Sequence, residues 1–429
     1  MTRFQLFFTG IVIALGVIGA ILFATVKGTG GGQQVVPVVM WGTMKSDIMN
    51  RFLGSISNAV SDTMSVSYVE KKPESFETEL IAALARGTGP DLVLLPQDLI
   101  VKQLDKFYTI PFANYSERTF KDTFIQEGNL YLSPEGIIGF PFSVDPLVMY
   151  WNRDMLTNEG IVAPPVSWLQ FFDLASKLTK KDANGTITQS FVSFGEMRNV
   201  AHAKDIVSLL ALQAGTPIVG RTSQGAFESL LNKKGDTIAP AEQAVSFFTE
   251  FSNPVKAAYS WNRAMPQNKN AFIAEKLALY FGYASELPSL LSANPNLNFD
   301  VALVPQAGGK KMTFGAMNGL AILKSSKNIV PAYTAILTLI GADVQAVWVD
   351  SSGFAPVRLD MLSSLPGDAY KSIFYQSALI ATAWLDPNRE ATDGLFTRLI
   401  ENVTSGKMRL SDSVSSASIE LGTLLQSRI

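Results

Sequence analysis

Residues Gly139–Leu156 read GFPFSVDPLVMYWNRDML. The apolar run that ends at Ser143-Val144 predicts a buried strand, and Leu147–Trp151 predicts a second one. Between them stand a single carboxylate, Asp145, and a proline, Pro146. Proline fixes its own backbone angle and removes a hydrogen-bond donor, so the pair suits a connection between two lobes better than the middle of a core strand. Asn152-Arg153-Asp154 then opens a helix. Taken alone, Asp145 is either a structural strand-end residue or a contact for something held between the lobes.

Upstream of this stretch, strands and helices alternate. Val35–Trp41 is a continuous apolar run, the pattern of a strand buried on both faces of a parallel sheet. A helix is expected over Ile48–Val60 and a strand over Met64–Val69. Pro73–Arg86 carries Phe76, Leu80, Ala83 and Leu84 on one face, acids in its early turns and Gly87 just beyond, so it predicts a helix with matched charges and a glycine stop. Asp91–Leu95 is the third strand. This order argues for a right-handed parallel α/β lobe.

Downstream the chain is richer in helix. Ser167 and Gln170 form a capping box ahead of Trp168–Leu178. Further helices are expected over Asp205–Ala214, Ala241–Phe251, Ala284–Ser292 and Ala332–Ile340, with strands over Phe299–Pro305 and Gly315–Leu323. Leu395–Leu425 reads as two helices split at Ser405-Gly406. No internal repeat is present.

Composition narrows the chemistry. The chain has 429 residues, a net charge of −2, no cysteine and one histidine, His202. Its length calls for two or three domains. Without a basic block it is a poor partner for nucleic acid, which needs clustered Lys and Arg. Disulfides, thiolate metal sites, Cys nucleophiles and a lipid-modified N-terminal Cys are excluded, and one histidine cannot build a zinc cluster. No Gly-x-Ser-x-Gly, His-Glu-x-x-His, Walker A or Gly-x-Gly-x-x-Gly element occurs, so no catalytic residue, cofactor or metal is expected.

The first residues stand apart. Gln5–Val26 carries no charge and is long enough to cross a bilayer as a helix, with Arg3 on the cytoplasmic side. We read residues 1–27 as a membrane anchor with the rest of the chain outside the cell membrane. A cleaved signal peptide, releasing a secreted protein, is the alternative. Residues 28–36 then form a Gly-rich tether.

Across nearly all of residues 36–429 the chain resembles the family 1 extracellular solute-binding proteins, the maltose-binding-protein-like receptors of sugar ABC importers. The hinge motif quoted above is one part of that resemblance. FETELIAALARGTGPDLVLLPQD (76–98) is similar to the family's first-lobe segment, and AFIAEKLALYFGYASEL (271–287) to the segment that ends in an aromatic beside the ligand. SSGFAPVRLD (351–360) resembles its Gly-aromatic-x-Pro-x-Arg loop, and ENVTSGKMRLSDSV (401–414) its C-terminal helix pair. There Ser413 replaces the usual alanine. The resemblance implies an α/β, two-lobed type II periplasmic-binding-protein fold, each lobe a mixed or parallel sheet flanked by helices, preceded by one N-terminal transmembrane helix. Crossovers are then expected near Val144–Leu147, Met312–Ala316 and Ala378–Ala381. Lobe 1 comprises residues 37–144 and 313–378, and lobe 2 residues 147–312 and 379–429.

By the same resemblance the chain is a monomeric receptor. It captures a small polar ligand of carbohydrate type, closes about a hinge and presents it to the permease subunits of an ABC transporter. Asp145 then hydrogen-bonds the ligand, Tyr283 stacks on it, and Trp384 joins them just past the third crossover. Asp98 matches a ligand position, although it equally suits a cap for the following helix. Trp41 ends the first strand, at the edge where open α/β sheets bind ligands, or packs at the rim. Phe354 and Arg358 approach the cleft in the family, as do Asn199 and His202 in GEMRNVAHAKD (195–205). Leu95 and Thr43-Met44-Lys45 depart from the maltose binders, which leaves the ligand open. An envelope-tethered glycoside-active enzyme, with Asp98 and Asp145 as its carboxylates, or an adhesion or sensor domain are the alternatives on the same fold.

Overall fold

The computed structural model describes residues 35–426 except 223 and 234–238; the expected membrane anchor and most of the tether lie outside the described residues. Among those described, no single helix is long and apolar enough to cross a membrane.

The first strands are β1 (Pro37–Gly42), β2 (Ser65–Glu70) and β3 (Leu92–Pro96), all parallel in the order β2-β1-β3. Leu92–Leu95 is buried on both faces, but β1 alternates: Val38 and Met40 are buried while Val39 is exposed. The continuous apolar run of β1 therefore does not report burial on both sides. Between the strands lie helices Ser46–Val60 and Pro73–Ala85. The first buries Met49, Phe52, Ile56 and Val60, spaced to lie on one helical stripe. The second starts with proline at its first position, where the missing N–H costs nothing, and carries Glu74 in its first turn. It stops where Gly87 adopts a left-handed φ of 68° and the Thr88 N–H reaches back to Ala83 O at 2.9 Å.

The quoted stretch departs from expectation in one respect. Instead of two strands joined at Asp145-Pro146, residues Phe140–Asn152 form one thirteen-residue strand, β4. The proline is tolerated because β4 changes partners there. Up to Pro146 it pairs antiparallel with β8 (Thr313–Ile322), and from Leu147 onward with β6 (Leu277–Tyr283). From Met149 its other edge pairs with β7 (Phe299–Ala302). Strand β6 in turn pairs parallel with β5 (Ile187–Val192). The resulting ten-stranded sheet has β4 and β8 at its middle, joining the β2-β1-β3 half to the β6-β5 half. The short strand Ala381–Thr382 pairs beside Thr313-Phe314, so all three expected crossovers meet in one region.

Each half has its own aromatic core. In the first, Trp348 packs 5.2 Å from Phe52 and 4.7 Å from Phe142, centroid to centroid. In the second, Trp168, Phe171, Phe194 and Phe281 pack together. The helix expected at Trp168–Leu178 begins at Gln170, whose side-chain oxygen accepts from the Val166 and Ser167 N–H groups. Its capping contact thus lies just ahead of the helix. The C-terminal pair forms as Arg389–Thr404 and Leu410–Gln426, with Gly406 left-handed between them. Ser413, standing where the family has alanine, is buried and donates to Leu399 O at 3.0 Å, so its hydroxyl is satisfied.

At the meeting of the crossovers sits Glu127, in the short 3-10 helix Gln126–Tyr131. It is 2 % exposed, and neither carboxyl oxygen has a hydrogen-bond partner. A β-carbon on Gly315 would fall 1.8 Å from Glu127 Oε2, so only glycine fits opposite it. Burial first, and then the nearby Asp145 charge, push the Glu127 carboxyl up to about 8. Asp145 is itself pushed up to about 6 by burial, against the hydrogen bond it accepts from Ser285.

Glu127 therefore keeps its proton in the folded chain at pH values where the unfolded chain has lost it. Its contribution to stability is complete below its ordinary carboxylate range and is lost as pH rises towards about 8. Asp145 adds a loss of the same sign that ends near pH 6. Melting temperature recorded across this range should fall for the parent protein. For Glu127→Gln it should fall less, with the variant gaining most near pH 8. Parallel curves would show that Glu127 does not titrate in this window.

Candidate functional site

A cleft of about 900 Å³ opens between the two halves of the sheet, within the roughly 300–1,000 Å³ of small-molecule sites. Its first wall is built at the carboxyl ends of β1 and β3, where Thr43, Gln97 and Asp98 follow the strands, and from the start of helix Pro73–Ala85. Its second wall holds Tyr283 at the end of β6, Lys204 and Asp205 in the first turn of helix Ala203–Gln213, Trp384, and Arg389 at the start of the next helix. Phe314, Ala316 and Asn318 of β8 form the floor. Buried Gln97 fixes that floor by donating to Gly315 O at 2.7 Å and accepting from the Met317 N–H at 3.1 Å.

The cleft is strongly charged. Glu74, Glu77 and Asp98 line one side, and Asp205, Asp386, Glu390 and Asp393 the other, against Lys102, Lys204 and Arg389. Lys204 lies 3.0 Å from Asp386 and 2.8 Å from Asp393, and also donates to Thr392 Oγ1. Burial opposes its charge, but the carboxylates outweigh that and hold it protonated. Thr392 and the Asn388 N–H complete the shell of Asp386. Lys102 is taken by Glu77 at 2.6 Å. Arg389 bridges the cleft to Asp98 at 3.1 Å; burial works against its charge, and Asp98 and Asp205 more than compensate. The Tyr283 hydroxyl donates to Asp205 Oδ2 at 2.8 Å, and burial, then Asp205, keep it neutral well above its ordinary range.

Of the residues singled out from the sequence, Asp98, Tyr283 and Trp384 line this cleft. Trp384 is 4 % exposed and its indole N–H is spent on Ser208 Oγ at 3.1 Å, so it presents little more than an edge. The others lie outside the lining. Trp41 carries Lys71 Nζ 3.9 Å from its ring centre. Asp145 accepts the Ser285 N–H at 3.0 Å and so holds the turn that follows Tyr283. Phe354 stacks on Trp348, and Arg358 pairs with Asp360 while donating to Ile340 O. Asn199 is buried, bonded to Trp261, Asn262 and Met265. His202 sits 2.8 Å from Glu286 and edge-on to Tyr283. Burial favours neutral Glu286, yet its bonds to His202 and Lys269 bring it down to about 2.

Lys204, Asp205, Asp386 and Arg389 were not singled out from the sequence. Each begins or precedes a helix, where such residues are common, so no local signal marks them. Among the described residues no group of His, Asp and Glu side chains converges to hold a metal.

A two-walled cleft over a sheet whose halves share continuous strands defines a binding protein of the periplasmic type. The chain belongs to the bacterial extracellular solute-binding protein family, whose model matches residues 60–373. It is 23 % identical over 290 residues to a candidate binding protein of Brucella abortus (strain 2308), a match spanning 65 % of each chain, and equally to one of Brucella suis biovar 1. Solved structures share the fold. The sugar-binding protein MalE of Xanthomonas citri superposes with a TM-score of 0.74 at 17 % identity, over 92 % of this chain and 98 % of that one. A cyclo/maltodextrin-binding protein in complex with maltotetraose gives 0.73 at 16 %, over 93 % and 99 %. A Thermotoga lettingae solute-binding protein bound with α-D-tagatose gives 0.67 at 19 %, over 91 % and 99 %.

The buried lysine network makes a sharp prediction. Lys204→Met strands the buried Asp386 carboxylate, a change that costs about 3–5 kcal/mol. Adding Asp386→Asn should recover part of that loss. Urea denaturation of the single and double variants measures both, and an unaltered midpoint in the single variant would contradict the network.

Proposed function

We propose that this solute-binding protein is the sugar receptor of an ABC importer, held outside the cell membrane by its N-terminal segment and working as a monomer. The cleft takes up a sugar or oligosaccharide, the two halves close over it, and the closed form is presented to the permease. The observation that carries this reading is the Arg389–Asp98 contact: one polar pair, each partner on a different wall, spans a cleft of ligand size. Ligand hydroxyls that bond both walls favour the shut state over the open one, which is all that hinge closure requires. The sugar complexes among the structural neighbours support the ligand class.

The lobes proposed are residues 37–144 with 313–378, and 147–312 with 379–429. Asp98 and Tyr283 bind from opposite walls, with Trp384 as a side wall. Asp145 acts as a positioning residue through Ser285, because its carboxylate is engaged there.

Three measurements test this. A melting screen of the full chain against sugars should find a ligand that raises stability by about 2.7 kcal/mol at 100 times its Kd. Small-angle scattering should then show a smaller radius of gyration with that ligand, and identical profiles at saturation would reject closure. Calorimetry on Asp98→Ala should give a Kd weaker by about tenfold or more, as expected for loss of a charged hydrogen-bond partner. An unchanged Kd would remove Asp98 from the site.

A further inference from the structure

The charge balance of the cleft bears on which sugar it takes. Seven carboxylates line it against three cations, and each cation is already engaged by a carboxylate. An acidic ligand would find only the outer donors of Arg389, whose guanidinium already pairs with Asp98, in a cleft where carboxylates outnumber cations. Three helices also begin at the cleft, at Pro73, Ala203 and Arg389, and each N-terminus supplies roughly half an elementary positive charge. Together these offset less than half of the excess of four negative charges, so the field in the cleft stays negative.

One carboxylate has an oxygen to spare. Asp205 is nine-tenths buried and lines the cleft. Its Oδ2 accepts the Tyr283 hydroxyl at 2.8 Å. Its Oδ1 has no hydrogen bond within the described chain, yet it is not among the enclosed atoms left without a partner, so it meets solvent. The neighbouring Lys204 is bonded instead to Asp386, Asp393 and Thr392, and Arg389, although Asp205 helps hold it charged, directs its hydrogen bond to Asp98 rather than to this oxygen. Glu74 and Glu390, on the two walls, are exposed and carry no ion pair among the described residues. Closing the walls would strip water from all three carboxylates, and a buried charge needs a partner of opposite sign. A neutral sugar supplies hydroxyl donors and no charge.

We infer that the ligand of this cleft is an amine-bearing sugar, its protonated nitrogen received by Asp205 Oδ1 between the wall carboxylates Glu74 and Glu390. This rests on the proposed sugar-binding role and narrows it. The ammonium offsets the excess of negative charge on closure, and acidic sugars are disfavoured by the same field.

The test presents the full chain with glucose, galactose and mannose and their disaccharides, each as parent sugar, 2-amino-2-deoxy form and uronate, in thermal shift and then calorimetry. The amino form of the recognised sugar should bind about tenfold or more tighter than its parent, the uronate should give no shift, and the amino form's affinity should fall with added salt. Asp205→Asn keeps an acceptor for Tyr283 and should erase most of the preference, read as the ratio of the amino-form Kd to the parent-sugar Kd in the same variant. Should that variant fold poorly, Glu390→Gln at an exposed position of the wall should still reduce the preference. A parent sugar or uronate that binds as tightly as the amino form would overturn this inference and leave the sugar receptor standing. Spermidine carries amines without hydroxyls; binding of spermidine with no response to any sugar would overturn the sugar assignment itself. Silence from every compound would sink both.

Discussion

Everything in this molecule hangs on a change of hydrogen-bond partner in the middle of one strand. Phe140–Asn152 pairs with the strand Thr313–Ile322 as far as Pro146, and with Leu277–Tyr283 beyond it. Pro146 has no N–H, so the ladder is already missing a donor at the point where the two halves part. Its partner Gly315 has no side chain and is overlain by the Glu127 carboxyl group. The halves part along this line, yet the strand itself never ends. A continuous strand that changes partners in this way suits the closure proposed for the two walls.

The burial of Glu127 at this junction comes at a cost that the fold offsets elsewhere. A carboxyl group with no partner, enclosed by Gly315 and the neighbouring crossovers, survives by holding a proton. Two aromatic cores, one around Trp348 and one around Phe171, pack the two halves.

The cleft divides its charged groups into committed and available ones. Lys204, Asp386 and Thr392 saturate one another and fix the start of helix Arg389–Thr404, which in turn aims Arg389 at Asp98. Such a buried network specifies geometry more than it adds stability. Groups with spare valence, among them Asp205 Oδ1 and the outer donors of Arg389, face the open space. Binding specificity then follows from what the network leaves over.

Local sequence determined the elements whose causes are local. Pro73, the early acids and Gly87 mark a helix whose observed span, Pro73–Ala85, differs by one residue from expectation. Ser405-Gly406 likewise splits the last two helices. The Asp145-Pro146 pair announced the place where the halves join, although a single strand passes through it. Asp98, Tyr283 and Trp384, expected from the family resemblance, do line the cleft, because the topology brings strand ends and a crossover to one edge. Which polar groups remain free was decided only by tertiary structure. Asn199 is consumed by residues beyond position 260, His202 by Glu286, and Phe354 by Trp348, while Arg389 meets Asp98 from nearly three hundred residues away. A side chain's availability depends on partners that the chain brings near only by folding, and no spacing along the sequence encodes them.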